Sequence, residues 1–209
     1  KNNFYQLKSR LYKDLNKSMM LQHMTKEKDI LILHFVLLSR VYKRKGKNEL
    51  SYHYLNKAEK EAEAIEAFEL LSIIYSEILK LSYDLVSINV ERYIEKKRIN
   101  NERFRWEQEI DLLLAIVQYR IKTNQNFSKN DDSINKILKE TLTKFSENKE
   151  ILKSSKFRIK VCQVVSRVLL QQRDFNALEE YLIHSYKEFT EEKLFTKTNH
   201  EQKLALLSY

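Results

Sequence analysis

The 209-residue sequence contains a single glycine, Gly46, and no proline. Tight turns between β-strands depend on glycine, on Asn-Gly pairs or on proline at several places in a chain. Long helices joined by short connections of Asn, Asp, Ser or Lys need none of these residues. Because 43% of the residues are hydrophobic, such helices can still bury a core. The composition therefore predicts an all-α fold.

The chain is basic, with 38 Lys and Arg residues against 29 Asp and Glu residues and a formal net charge of +9. Such an excess is typical of proteins that bind acidic partners or nucleic acid. It also arises when cations are spread over solvated helix faces, and here they are dispersed rather than gathered in one block. We prefer the interpretation that the excess of cations lies on solvated helix faces, and we keep both interpretations open.

The only cysteine, Cys162, lies in the apolar run 161–165. A lone cysteine forms no internal disulfide, which fits a reducing compartment, and its apolar neighbours predict a packed thiol rather than a nucleophile. The longest apolar stretch, residues 30–38, is interrupted by His34. Because roughly 20 apolar residues are needed to cross a bilayer, we expect a cytoplasmic protein without a membrane span.

Apolar residues recur at helical spacing along most of the sequence. The first stripe consists of Phe4, Leu7, Leu11 and Leu15. A second helix over residues 28–45 is expected to end at Gly46, the residue type that most readily terminates a helix. Asn48 is then expected to cap a third helix.

The remaining connections are polar and mostly short. A turn is expected at residues 82–84 and a break at residues 96–103, where polar residues interrupt the apolar pattern. The longest polar stretch, residues 123–132, predicts a loop. The periodicity as a whole predicts about ten helices in one continuous domain over residues 1–209.

One segment combines large, small and aromatic residues at fixed positions on two adjacent predicted helices. Its marked positions are Phe35, Leu38, Ser39, Tyr42, Gly46, Ser51, Leu55 and Ala58. This spacing resembles the tetratricopeptide repeat (TPR), and small side chains at Ser39, Ser51 and Ala58 would let the two helices approach closely. Weaker copies of the pattern are marked by Ser72, Ala115, Ser166 and Ser208.

The resemblance implies a right-handed superhelical array of antiparallel helix hairpins, a TPR-like α-solenoid. The sequence opens with Lys1 rather than Met and closes at residues 204–209 on what reads as the first turns of a helix. We therefore expect a single TPR-like repeat domain that is a fragment of a longer protein. An array with uncapped ends is also expected to form a homodimer through them.

Catalytic motifs are not found in the sequence. A single glycine leaves no glycine-rich loop to cradle a phosphate or a dinucleotide. The five histidines are far apart and form no HExxH motif. Glu180 and His184, four residues apart on a predicted helix, form the one candidate metal or acid–base pair, and a surface contact explains their spacing as well. We expect a chain that is not an enzyme and needs no metal or cofactor.

In the family that this chain resembles, the first helix of each repeat lines a concave groove that holds an extended peptide or a partner helix. Carried over by position, the candidate partner-binding residues are Val36, Arg40, Lys43, Arg44, Glu69, Ile73, Lys160, Gln163 and Arg167. The cations among them suit carboxylates or phosphates of a partner. Cations near a helix C-terminus also complement the helix dipole, which explains Lys43 and Arg44 equally well.

Residues 92–106 indicate a different type of partner, because Arg92, Lys96 and Arg98 stand near aromatic residues that include Trp106. Cations hold phosphates and aromatic rings stack on bases in proteins that bind nucleic acid. Trp106 also stands where the next helix begins to bury its apolar face, and we prefer core packing for it. Nucleic-acid binding is therefore a secondary hypothesis.

The sequence thus predicts a protein-interaction module that holds a peptide or partner protein in the concave groove of a TPR-like solenoid. A more specific alternative is the sensor or regulatory repeat domain of a larger bacterial signalling or transcription-regulating protein.

Overall fold

The computed structural model describes residues 2–23, 27–123, 143 and 154–191, and all regular secondary structure in these residues is helical. The helices are α1 (Asn2–His23), α2 (Lys28–Arg44), α3 (Asn48–Ala64), α4 (Phe68–Leu81), α5 (Val90–Thr123), α6 (Ser155–Gln171) and α7 (Phe175–Glu191). The predicted all-α fold is confirmed for the described part of the chain. Residues 124–132 of the predicted loop and the weak copy at Ser208 lie outside the described residues.

The chain divides into two compact units, Lys1–Glu102 and Arg103–Tyr209. The first unit contains α1 to α4 and the beginning of α5, and the second contains the rest of α5 together with α6 and α7. The single repeat domain over residues 1–209 and its superhelical arrangement stay predictions.

The core of the first unit lies among α2, α3 and α4, where α2 packs against α3 and α3 packs against α4. Ile32 and Leu55 are almost completely buried in it. Ser39, Ser51 and Ala58 are buried as well, and the hydroxyl oxygens of Ser39 and Ser51 are only 3.0 Å apart. These small residues therefore allow the close helix approach that the sequence predicts.

A three-residue turn joins α2 to α3, and Gly46 stands in its middle with φ +69°. Glycine adopts this left-handed conformation at no steric cost. The Lys47 amide donates to the carbonyl oxygen of Tyr42 at 3.0 Å, and the Gly46 amide donates to that of Lys43 at 3.0 Å. Together these bonds form a Schellman motif, which satisfies carbonyl groups that a helix end leaves open. Gly46 therefore ends α2 as predicted.

The same turn follows two other helices without a glycine. After α3, Glu66 adopts φ 51°, and the next amide donates to the carbonyl oxygen of Ala62 at 2.9 Å. After α6, Arg173 adopts φ 56°, and the next amide donates to the carbonyl oxygen of Leu169 at 3.1 Å. A left-handed conformation costs a residue with a side chain roughly 1–2 kcal/mol. The packing of the helices on either side therefore has to offset this cost.

The α6–α7 hairpin repeats the dimensions of the α2–α3 hairpin. Each consists of two 17-residue helices joined by a three-residue turn. The bounds coincide after a shift of 127 residues, which carries Lys28 onto Ser155 and Asn48 onto Phe175. Buried residues coincide too: Ile32 with Ile159, Ser39 with Ser166, Ser51 with Leu178, Ala58 with Ser185, and Ala62 with Phe189. The two hairpins therefore share these five buried positions, whereas Val164 and Val168 are buried at the positions that correspond to the exposed Leu37 and Val41.

The predicted break at residues 96–103 is wrong, because α5 runs without interruption from Val90 to Thr123. Lys, Arg, Glu and Ile are all compatible with a helix interior, and neither Gly nor Pro is present to stop the helix. Asn100 is buried, and its Nδ2 donates to the carbonyl oxygen of Phe68 at 2.9 Å. Asn100, one of the polar residues that resemble a break, therefore contacts α4.

The end of α4 and the start of α3 lie at or next to their predicted positions. The predicted turn at residues 82–84 is confirmed, since α4 ends at Leu81 and those residues form a turn. Asn48 is the first residue of α3 rather than its cap, and Lys47 at the cap position forms no side-chain hydrogen bond with the helix. The Schellman motif before it sets where α3 begins.

Helix α1 differs from the others because all of its described side chains are exposed. Its predicted apolar stripe is present, but Phe4, Leu7, Leu11 and Leu15 are each between 52% and 68% exposed. No described helix, α1 included, is both long enough and apolar enough to cross a membrane.

The shared turn predicts the effect of substitutions at Arg173, which is exposed. Arg173→Gly removes the cost of the left-handed conformation, and we expect the free energy of unfolding to rise by about 1 kcal/mol. The matched control Arg173→Ala keeps that cost, and we expect a change within about 0.5 kcal/mol. Chemical denaturation measures both variants. A glycine variant no more stable than the alanine variant would contradict the shared geometry.

Candidate interaction surface

Helix α2 has two apolar faces, and only one of them is covered. Ile32 and Val36 are buried in the core of the first unit. On the other side Leu33, Leu37 and Val41 are 44%, 56% and 44% exposed. Residues four apart are neighbours on a helix surface, so these three side chains form a continuous row. We call Leu33, Leu37 and Val41 the outer stripe of α2.

Cations stand beside the outer stripe near the C-terminus of α2. Arg44 is exposed and lies three residues beyond Val41, on the same side of the helix. Arg40 is partly exposed, but its Nη2 and Nε lie 2.8 Å and 3.1 Å from Oε1 of Glu77 on α4. The guanidinium group of Arg40 is therefore paired with the Glu77 carboxylate. Only Arg44 extends the stripe as an exposed cation.

The other predicted partner-binding residues of the first unit lie in different surroundings. Val36 is 4% exposed, so the structure places it in the core and away from any surface. Lys43 and Ile73 are half-buried, and Glu69 is exposed on α4. The periodicity does not predict which side of α2 is covered, so Leu37 and Val41 are not among the predicted partner-binding residues. The signal of the outer stripe in the sequence is the four-residue spacing of Leu33, Leu37 and Val41.

Lys160, Gln163 and Arg167 lie on α6 in the second unit, and all three are half-buried. Lys160 Nζ lies 3.1 Å from Oε1 of Glu107 and 2.6 Å from Oδ1 of Asp111. Lys160 is therefore engaged by carboxylates of its own unit. The assignment of these three residues to a partner-binding site stays a prediction.

A buried carboxylate, Glu59 of α3, links α3 to α5 within the first unit. Glu59 is 7% exposed, and Lys96 Nζ lies 2.5 Å from its Oε1 and 2.9 Å from Oε1 of Glu63. The Tyr93 hydroxyl donates to Glu59 Oε2 at 3.1 Å, and the Tyr75 hydroxyl donates to Glu63 Oε1 at 3.1 Å. Glu59 is therefore bonded by two residues of α5, and Glu63 by one residue of α4 and one of α5.

The pKa shifts in this network agree with a structural role. Burial lowers the pKa of Lys96, but the hydrogen bonds and charges of Glu59 and Glu63 outweigh burial and raise it overall. Burial raises the pKa of Tyr93, and its hydrogen bond with Tyr52 and the Glu59 charge raise it further. Lys96 therefore stays charged and Tyr93 stays neutral near neutral pH, and neither group is poised to exchange a proton there.

The second unit contains a comparable network around Glu107 of α5, which is 8% exposed. Lys156 Nζ lies 2.6 Å and Lys160 Nζ 3.1 Å from Glu107 Oε1, and Lys160 also contacts Asp111. In both units a buried glutamate and the acidic residue four positions later share one lysine of another helix. A buried charge is tolerated only when it is paired, so each network restricts which helices can meet.

Several cations of the candidate nucleic-acid segment contact other side chains. Lys96 bonds Glu59 and Glu63, Lys97 Nζ donates to Ser76 Oγ at 2.9 Å, and an Arg98 guanidinium nitrogen lies 3.7 Å from Glu95. These contacts compete with phosphate for the same groups. Nucleic-acid binding by this segment stays a prediction.

Cys162 is 1% exposed and packs with Ile159 and Phe189 in the core of the second unit. Burial raises the pKa of its thiol, and the thiolate is the reactive form. The predicted packed thiol is therefore confirmed. Glu180 and His184 are both exposed on α7, and the described residues contain no group of three His, Cys, Asp or Glu side chains that could hold a metal ion.

Searches against protein-family models, curated proteins and solved structures gave no significant match. The resemblance to TPR proteins therefore depends on the residues of this chain alone.

The buried network predicts that Glu59 contributes more to the free energy of unfolding than Glu63 does. Glu59→Gln leaves Lys96 facing an amide in a buried position, and we expect the free energy of unfolding to fall by about 2 kcal/mol. Glu63 is 47% exposed at its side chain, so the matched control Glu63→Gln should cost under about 1 kcal/mol. Urea denaturation compares the two variants. Equal losses of stability would show that burial of Glu59 is not what makes the pairing important.

Proposed function

We propose that this chain is a non-enzymatic protein-interaction module built from TPR-like helix hairpins, and that the outer stripe of α2 binds an amphipathic helix of a partner protein. The observation that carries the proposal is a row of three large apolar side chains on a helix whose opposite side is packed in a core. The matching dimensions of the α2–α3 and α6–α7 hairpins support a repeat architecture for the module.

The outer stripe suits a partner helix because it is continuous and rigid. Apolar residues spaced three or four apart are the usual anchors when one helix binds another. Covering a half-exposed leucine contributes about 1 kcal/mol through loss of apolar surface from water. Because α2 is already held by α3 and α4, little conformational entropy is lost when a partner binds.

The charges near the stripe indicate the chemistry of the partner. Arg44, Lys45 and Lys47 are exposed at the end of α2 and in the turn that follows it. Complementary charge across an interface speeds association and fixes orientation. The partner is therefore an amphipathic helix with acidic residues at the end that meets Arg44.

A display library of helix-forming peptides, selected against the intact chain, tests this proposal. We expect enriched sequences with apolar residues three or four apart and acidic residues at one end, because these match the outer stripe and Arg44. Leu37→Lys should weaken the enriched peptides at least about tenfold, since a cation then stands in the middle of the stripe. Fluorescence anisotropy of a labelled peptide measures the affinity.

Ile183→Lys is the matched control, because Ile183 is 50% exposed on α7, outside the first unit. It makes the same change in charge and should leave peptide affinity unchanged. Selection of no peptide, or of peptides that bind wild type and Leu37→Lys equally, would refute the assignment of the binding face. Circular dichroism checks that both variants remain folded.

A further inference from the structure

The apolar stripe of α1 is not covered by the described part of the chain. Leu11 is 68% exposed and even the least exposed member of the stripe, Leu15, is 52% exposed. Most of the stability of a protein helix comes from packing its apolar face, and an isolated helix that is not rich in alanine is marginal in water. Helix α1 therefore needs a surface outside the described part of the chain to bury this stripe.

Three of the four cations of α1 lie on the side opposite its apolar stripe. Tyr12 and Met19 extend the stripe of Phe4, Leu7, Leu11 and Leu15 along one side. Arg10, Lys13 and Lys17 are spaced three and four apart on the other side. Asp14 is the only acidic residue of the helix, against four cations when Lys8 is included.

This distribution has the features of a helix that lies in the plane of a bilayer surface. Such helices combine an apolar face containing Phe and Leu with a polar face rich in Lys and Arg, and they are often 20 to 30 residues long. Helix α1 has 22 residues. Tyr5 and Tyr12 are one heptad apart on the same edge of the stripe, and tyrosine is enriched where an apolar layer meets water.

We propose that α1 binds anionic membrane surfaces as an interfacial helix, with its apolar stripe among the lipid chains and its cations among the lipid headgroups. The charge of the helix is complementary to anionic phospholipid, which attracts cations close to the surface with about a fivefold gain in affinity for each of them. The proposal is independent of peptide binding by the outer stripe of α2, because it rests on other residues.

The position of Lys8 favours a lipid surface over a second copy of this chain as the surface that covers the stripe. Lys8 lies within the apolar side of α1, and its Nζ is 5.7 Å from the centroid of the Tyr12 ring. Against lipid, the aliphatic part of the Lys8 side chain can lie along the stripe while its ammonium group reaches the headgroups. Against another α1, the same ammonium group would face an equally cationic helix, which is unfavourable. The residue composition therefore favours lipid.

Co-sedimentation of the intact chain with vesicles tests the proposal. We expect binding to vesicles of phosphatidylcholine mixed with phosphatidylserine, and at least about tenfold weaker binding to pure phosphatidylcholine, because the latter carries no net negative charge. Binding should weaken as salt is added. Equal binding to both vesicle types, or none to the anionic vesicles, would overturn the proposal, and absence of binding would leave a protein as the partner of the stripe.

Matched variants separate the apolar stripe from the charge. Leu11→Glu and Gln6→Glu make the same change in charge on opposite sides of α1. We expect Gln6→Glu to weaken vesicle binding about fivefold and Leu11→Glu to weaken it at least about fiftyfold, since it also removes an apolar anchor. Equal losses would show that the stripe does not enter the bilayer and would contradict the proposal.

A second pair of variants tests whether the net charge of the chain alone explains its binding to anionic vesicles. Lys13→Glu on α1 and Lys45→Glu in the turn after α2 reverse the same charge. We expect only Lys13→Glu to weaken vesicle binding, by more than about tenfold. Equal effects would indicate unspecific attraction and refute a specific role for α1. Leu37→Lys should leave vesicle binding unchanged, so failure of the α2 assignment and failure of this one are distinguishable.

Discussion

A three-residue turn with a left-handed middle residue joins α2 to α3, α3 to α4 and α6 to α7, and the packing of these helix pairs depends on it. It returns the chain after a 17-residue helix, and in the α2–α3 and α6–α7 hairpins the left-handed residue comes seven positions after a buried serine. Gly46 follows Ser39 in this way, and Arg173 follows Ser166. The serine is small enough to let the second helix approach, and the turn determines which residues of that helix meet it.

Because a hairpin covers one side of each helix, the opposite sides must be polar, meet further helices or remain available to partners. The α3 helix meets α5 through Glu59 and Lys96, a pairing that buried charge makes selective. The outer stripe of α2 and the stripe of α1 have no comparable cover among the described residues. These two surfaces differ in chemistry, since a rigid stripe ending in Arg44 suits a helix, whereas a cationic amphipathic helix suits lipid.

The features that could be predicted from the sequence are those with a local cause. Glycine and proline usage predicts the all-α fold, Gly46 predicts the end of α2, and the spacing of Ser39, Ser51 and Ala58 predicts a close helix pair. Glu66 and Arg173 give no local sign of a left-handed conformation, because tertiary packing imposes it. Periodicity likewise reveals an apolar face without showing whether it is covered, so neither the burial of Val36 nor the exposure of α1 could be predicted.

Backbone hydrogen exchange tests the shared turn most directly. The amides of Lys47, Ala67 and Asp174 donate to carbonyl oxygens five residues earlier in the three turns, although two of these turns contain no glycine. We predict that all three amides exchange slowly by NMR, at rates close to those of the adjoining helices, because each is bonded in a Schellman motif. Rapid exchange at Ala67 and Asp174, with protection at Lys47 alone, would show that only the glycine turn has this geometry and would contradict the account.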